Sequence, residues 1–518
     1  MKLTLNKYTG CFYLMLKKVC FPLGFICTCI FYISVLSSCK EDKISHRAEY
    51  AVVFSVDTLS FDTLFTNVGS YTQSIRLYNP HPHAVKISGV WFESSGKGEK
   101  SYFRANIDGE NDLSKMSDIV VFAHDSAYLF ISVFIDSTEE NIPLFIEDNL
   151  YVKVNGNISS LHLEAIGLNV IRIRSKSRLS EYEDFTFDNL RPYLIFDTMV
   201  VNGSLQIKEG ATLYMHTGAQ IFAFGNVMAS GTLDKKIKIC GDRLDKFRHD
   251  YISDDKRVSY TIPYSFLAGQ WDGIYLLCDT FSTVEPYYLF NYVEVIGANN
   301  GLFCKNTHAS FQPRLELDNS RIHVCSGNGL FVRNLNATIY NVEISNCGMY
   351  GLYVYGGNLY CDHSTLANYY EKSDIPIRVT KNSYYPALRI VKDSLNTSTP
   401  RIIITNSVIS GNDSNSLQCD SLLMQDIAVR NSYLRCDSFT NSRSVGNIFM
   451  QGQKDTNSVF LHNNLKYSEY YYDFHLDSIS PARGIGDSTY SIDRDGNVRN
   501  LPSDAGCYQY VEKTKEDV

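Results

Sequence analysis

Three places in this chain gather side chains able to bind a metal or move a proton. In DRDGN, Asp493, Asp495 and Asn497 set oxygen ligands at alternate positions, as a calcium loop begins, but no acidic residue follows at the far ligand position of an EF-hand. A tight turn held by the first aspartate accounts for the same pattern. The run DRLDKFRHDYISDDKR collects Asp242, Asp245, Arg248, His249, Asp250, Asp254 and Asp255. Paired carboxylates would serve glycoside hydrolysis, and converging carboxylates with a basic group would serve a calcium-dependent lyase. Mixed charge runs otherwise simply face water. His81 and His83 alternate with Pro80 and Pro82 in NPHPH, with no Cys or further His nearby to complete a metal site. No GxSxG, HExxH or phosphate-loop spacing occurs. No cofactor and no metal is implied.

The elements that would position these residues are strands. The 36 Tyr and 29 Phe among 518 residues, with few long amphipathic runs, favour β structure. A net charge of -8 without a basic stripe argues against a nucleic-acid partner. The nine cysteines beyond Cys39 form no CxxC pair and sit singly in apolar runs, so they read as small buried hydrophobes. From Ala51 to Val170, short runs such as SIRLYNP, AVKISGVWF and AYLFISVFID alternate apolar and polar residues between turn formers, which predicts an antiparallel β-sandwich over 50–175.

The second region repeats itself. NSRIHVCSGNGLF begins at Asn319, NVEISNCGMYGLY follows 22 residues later at Asn341, and HSTLAN another 22 later at His363. Looser copies start at Asn291, Asn406 and Asn431. That period is one coil of a parallel β-helix, which the spacing predicts over 190–510 with insertions near 242–259 and 369–400. Asn291, Asn319, Asn341, His363, Asn406 and Asn431 are expected to stack as a structural ladder, because Asn tolerates left-handed turns and bonds neighbouring main chain. Tyr369, Tyr370, Tyr384 and Tyr385 in the second insertion are candidates to stack on sugar rings, or to pack the insertion onto the solenoid wall.

At the N-terminus, two lysines precede an apolar run from Val19 to Val35, too short for a confident membrane span, and then LSSC ends at Cys39. This resembles the lipobox of bacterial lipoproteins, which implies a signal peptide over 1–38, acyl chains on Cys39 inserted in a bilayer, and a linker over 39–49. The triplet Lys40, Glu41, Asp42 resembles the surface-export signal of lipoproteins from Bacteroides-like bacteria, implying an outer-membrane protein facing the cell exterior. SFDTLFTNVGS, FRANIDGE and PLFIEDNLYVKVNGN, with GQWDGIYLL and the closing SPARGIGD and DRDGNVRNLPSDAGCYQY, resemble a family of such surface lipoproteins. The resemblance implies an all-β chain with an N-terminal immunoglobulin-like sandwich and a right-handed parallel β-helix. Asp272 and Cys507 depart from that pattern, standing where glycine and a small residue are usual.

Asp followed by Ser or Thr and a small or apolar residue occurs at Asp57, Asp62, Asp125, Asp136, Asp197, Asp393, Asp420, Asp477 and Asp487. It resembles the O-glycosylation sequon of Bacteroides-like bacteria, and ordinary turns produce it too; either way these sites should be exposed. The expected role is a non-catalytic β-helix that presents an extended surface to a polysaccharide or to a host or bacterial surface. The competing expectation is a polysaccharide-cleaving lyase or hydrolase, since parallel β-helices host both and the fold alone does not decide.

Overall fold

A computed structural model describes residues 43–512 apart from 138–142, 254–255, 371–383, 394–398, 422, 424–425, 440, 451–458, 463–471 and 488–489. Cys39 and the export segment lie outside the described residues. Residues 43–61, 68–135 and 145–165 make one compact unit, and 62–67, 136–144 and 166–512 make a second.

The first unit is built on two antiparallel sheets. One orders the strands Val53–Phe54, Gln73–Tyr78, Ser126–Val133 and Phe103–Ile107; the other orders Thr58–Phe65, Asn157–Leu168, Leu144–Val154, Val85–Phe92 and Val120–Val121. Burial alternates along them, as in Ser126–Val133, where Ala127, Leu129, Ile131 and Val133 point inward. NPHPH fastens this unit and leaves no open donor set. Asn79 donates to the carbonyls of His83, Val121 and Phe122. The His81 ring stacks on Tyr50 at 4.2 Å, with its Nε2 3.1 Å from the Ala51 backbone nitrogen, and His83 Nδ1 lies 3.4 Å from the Tyr50 hydroxyl.

The second unit is a parallel β-helix of three sheets, with eleven, nine and nine strands. The chain visits them in rotation. Strand Arg321–Cys325 belongs to the first sheet, Leu330–Arg333 to the second and Asn336–Tyr340 to the third, and Glu343–Cys347 then returns to the first. Rows follow from this winding. Ile322 pairs with Ile344 and Ile344 with Leu366 in the first sheet; Leu330 pairs with Leu352 and Leu352 with Leu388 in the second; Leu315 pairs with Ala337 and Ala337 with Leu359 in the third. All of them enter one apolar core running from Ile173 to Cys436. No coil closes a core alone, so each is stabilised by the coil above and below.

Several boundaries differ from the sequence expectation. The first coil strand is Ile171–Ile173, paired with Tyr193–Ile195, so the solenoid begins ahead of residue 190. The first insertion contains an antiparallel hairpin of Lys246–Ser253 and Lys256–Pro263. Within the expected second insertion, Leu388–Val391 pairs with Leu352–Tyr355 and is therefore a coil strand; its apolar core residues were hidden by the polar stretches on either side. The closing segment 473–510 is not a further coil. It runs back along the outer face of the first sheet as a strap. The nine cysteines of the described chain are free, and all but Cys419 are buried; burial pushes the Cys361 thiol up to about 12.

Candidate binding faces of the solenoid

The corner between the third and first sheets carries the expected ladder. Asn319, Asn341, His363, Asn406 and Asn431 each have φ between 42° and 53°, the left-handed turn that Asn tolerates best. Asn341 Nδ2 donates to Asn319 Oδ1 at 3.1 Å, and Asn319 Nδ2 to Asn291 Oδ1 at 3.0 Å. Asn291 stands one residue ahead of the column, however. It pairs with Asp318, so Tyr292 (φ 50°) occupies the turn position in that coil. Beyond Asn341 the amide row changes partners. His363 sits between Asp362 and Ser503, and Asn406 donates to Asp362 and Asp487.

A second row runs beside it that the sequence reading missed. Ser320, Ser364, Ser407 and Ser432 are wholly buried. Each hydroxyl donates to a carbonyl two residues earlier and accepts a backbone N–H: from Val293 and Val342 for the first two, and from Ser364 and Ser407 for the others. The signal was visible as Ser directly after the ladder residue in NS, HS, NS and NS. Both rows satisfy buried backbone at the corner, which is structural work.

The outer face of the first sheet looks at first like an active site. Glu343, His323, Ser345 and Arg321 converge there with Arg494 and Tyr508 from the strap. Arg321 Nε lies 2.8 Å from Glu343 Oε1, Tyr508 and Ser345 donate their hydroxyls to the same carboxylate, and His323 Nδ1 is 2.7 Å from Ser345 Oγ. Burial opposes the Glu343 charge, but the Arg321 guanidinium together with Arg494 and the Ser345 hydroxyl outweighs it and holds the carboxyl well below the usual carboxylate range. An ionised Glu343 only accepts, so Ser345 donates its single proton there and His323 must donate to Ser345. That polarity is opposite to a nucleophile handing its proton to a base. The strap seals the cluster further, with Arg494 bonded to Glu294 at 3.0 Å and to Tyr508 at 3.1 Å. At its rim, His475 bridges Asp473 at 2.5 Å and Asp495 at 2.9 Å; burial disfavours the imidazolium, but the two carboxylates outweigh it and raise His475 to about 9.

DRDGN lies in this strap. Asp493 Oδ1 accepts the backbone N–H groups of Asp495 and Asn497, and its Oδ2 accepts from Gln509 N–H and the Asn497 amide. Both oxygens are committed to a turn. Among the described residues, no group of three or more His, Cys, Asp or Glu could hold a metal ion. In the charged run, Asp245 grips Arg243 through both oxygens and Asp242 Oδ2 lies 2.6 Å from His216 Nδ1; the side chains of Arg248, His249 and Asp250, and residues Asp254 and Asp255, lie outside what the structure describes. Asp393, expected to be exposed, is 1% exposed, because Arg333 and Asn334 hold its carboxylate from the solenoid wall.

The tyrosine candidates divide. Tyr369 and Tyr370 are 3% and 7% exposed and cannot face a ligand. Tyr369 packs among Phe460 and Phe474 with its hydroxyl on Ser410, and Tyr370 packs on Ala268 and Val324. Tyr384 is exposed, and Tyr385 packs against Tyr350 at 5.3 Å. Tyr350 belongs to a larger feature. On the outer face of the second sheet, Phe222, Tyr275, Phe303, Phe331 and Tyr353 occupy one outward position in five successive coils. At about 4.8 Å per coil this row is about 19 Å long. Its rings pair face to face in two places, Phe222 on Tyr275 at 4.8 Å and Phe303 on Phe331 at 4.5 Å, and turn by 47° and 73° at the Tyr275–Phe303 and Phe331–Tyr353 steps. All five rings are half-buried, so each keeps part of its surface in contact with solvent. Single aromatics 22 to 53 residues apart gave no local motif, and only the register between coils reveals the row.

No family model and no curated protein matches the chain. Among solved structures, a family 123 glycoside hydrolase from Clostridium perfringens aligns at 9% identity and a TM-score of 0.17, over 23% of this chain and 26% of the hydrolase. A PapD-like domain of human CEP192 aligns at 12% identity and a TM-score of 0.18, over 27% of this chain and 94% of that domain. The chain is thus similar to each only locally and distantly.

Proposed function

We propose that this is a lipid-anchored outer-membrane protein, held by acyl chains on Cys39 and facing the cell exterior, whose β-helix binds a polysaccharide along its second sheet without cleaving it. The aromatic row on that sheet carries the reading. Rings repeated at the coil spacing, with tilted steps that leave ring faces and edges open, give a long ligand several equivalent apolar contacts. The densest set of ionisable groups, around Glu343, is committed to holding the strap. Anchoring and outward display rest on the resemblance of the first 42 residues to lipoprotein export signals.

The test uses the full chain purified in detergent, assayed for binding to insoluble and soluble polysaccharides beside a reducing-end and unsaturated-sugar assay on the same polymers. Binding that weakens about tenfold or more in Phe303→Ala/Phe331→Ala is expected, from two aromatic contacts. Release of reducing ends or unsaturated sugars overturns the non-catalytic reading. Palmitate labelling should vanish in Cys39→Ala, and protease treatment of intact cells should remove the protein.

A further inference from the structure

We infer that the recess beside the N-terminal end of the aromatic row takes a sugar unit carrying no acidic group. The inference rests on the glycan-binding reading above and names the kind of saccharide that face accepts. The recess has a volume of about 690 Å³ and opens at the turn between the second and third sheets. Phe224, two residues past Phe222 of the row, forms part of its wall, which sets the recess next to the end of the row. Gly203 and Gly225 line it where one coil turn sits directly on the next: a Cβ on Gly225 would stand 1.9 Å from the Gly203 carbonyl oxygen. Glycine at both positions lets successive coil turns close on one another and form the floor of the recess.

Above this floor stands Phe281, 88% exposed, with Val284 beside it at 69%. The ring is held out by an ordered turn. Asp279 Oδ1 accepts the Phe281 N–H at 2.9 Å and the Ser282 hydroxyl at 3.2 Å. A ring presented this way beside a polar cavity suits the apolar face of a sugar, whose hydroxyl edge then meets acceptors. Those acceptors are the carboxylates of Glu183, Asp184 and Asp279, and the lining contains neither Lys nor Arg. A neutral or amino-bearing sugar finds hydrogen-bond acceptors of suitable charge. A uronate or sulfated sugar would bring like charge against three carboxylates with no cation to offset it.

A glycan array of matched-length neutral, amino-bearing and uronate-containing oligosaccharides, probed with the full chain, tests this. Binding confined to members without acidic groups is expected. Phe281→Ala, which leaves the core untouched because the ring is exposed, should weaken it about tenfold. Glu183→Gln/Asp279→Asn should admit acidic members that the unaltered chain rejects. Equal binding of uronates by the unaltered chain overturns the inference. So does a Phe281→Ala variant with unchanged affinity; if Phe303→Ala/Phe331→Ala still weakens binding about tenfold, the row keeps its role and the recess alone loses its own. An array on which the unaltered chain binds nothing overturns the glycan reading itself and this inference with it.

Discussion

The first and second sheets are wound from the same coils, yet their outer faces are built for opposite purposes. In the first sheet, Glu343–Cys347, Thr365–Asn368 and Val408–Gly411 are buried on both sides. One outward row, Ser345, Ala367 and Ser410, is small, and Ala367 packs among strap residues such as Phe474 and Cys507. In the second sheet the outward positions are Phe222, Tyr275, Phe303, Phe331 and Tyr353, large rings with open sides. In this solenoid the buried ionisable cluster marks the closed face, and large side chains that keep one register without being fully covered mark the open one.

Breaking the closed face should have the largest effect. Glu343→Ala removes one member of a buried ion pair and strands Arg321, which costs about 3–5 kcal/mol of stability. Phe331→Ala on the open face should cost about 1 kcal/mol, since its ring is half-buried and stacks on one neighbour. Thermal unfolding of the two variants checks the contrast; equal losses would erase the distinction between the faces. A middle effect is expected at the corner. Asn341→Ala forces a β-carbon-bearing residue without an amide into φ 53° and removes bonds to Asn319, Ile492 O and Arg499, and should cost about 2 kcal/mol. Asn341→Gly should recover the backbone part of that loss, and chemical denaturation of the pair separates turn geometry from side-chain bonding.

The all-β class, the sandwich and the β-helix were legible because local patterns encode them: alternation for the first unit, and a 22-residue echo with Cys325 and Cys347 in register for the second. The strap was not legible as a strap. Its contacts join residues as far apart as Arg494 and Glu294, and nothing near DRDGN in sequence says that Asp493 closes a turn against the first sheet. For Tyr369 and Tyr370 the packing alternative holds, but what they pack against was not legible, for a related reason. They sit at the edge of a polar insertion, where tyrosine is often exposed, but Phe460 and Phe474 arrive from a hundred residues later to bury Tyr369. The row from Phe222 to Tyr353 was hidden by insertions that break the constant spacing, most of all the 53 residues between Phe222 and Tyr275.

The effect most selective between the faces depends on pH. His475 is raised to about 9 in the folded chain, whereas an unfolded histidine titrates near 6.5, as it does in model peptides. A raised value means the imidazolium stabilises the folded state fully below about pH 6.5, and that contribution is lost as pH rises through about 9. The two carboxylates beside it favour the imidazolium, and the cations that share Asp495 oppose it without outweighing them. Asp473 and Asp495 are ionised partners, Arg494 and Lys236 approach Asp495 at 3.5 Å and 3.9 Å, and the Tyr508 ring stacks on His475 at 4.0 Å with its hydroxyl held protonated by burial. Hydrogen exchange, corrected for intrinsic rate, should therefore show the strap amides of Arg494 and Gln509 losing protection between pH 7 and 9.5, while those of Phe303 and Phe331 hold theirs. His475→Gln should remove the pH dependence and leave the strap at its high-pH protection throughout. If the second-sheet amides open in step with the strap, the two faces are one cooperative unit and the separation drawn between them fails.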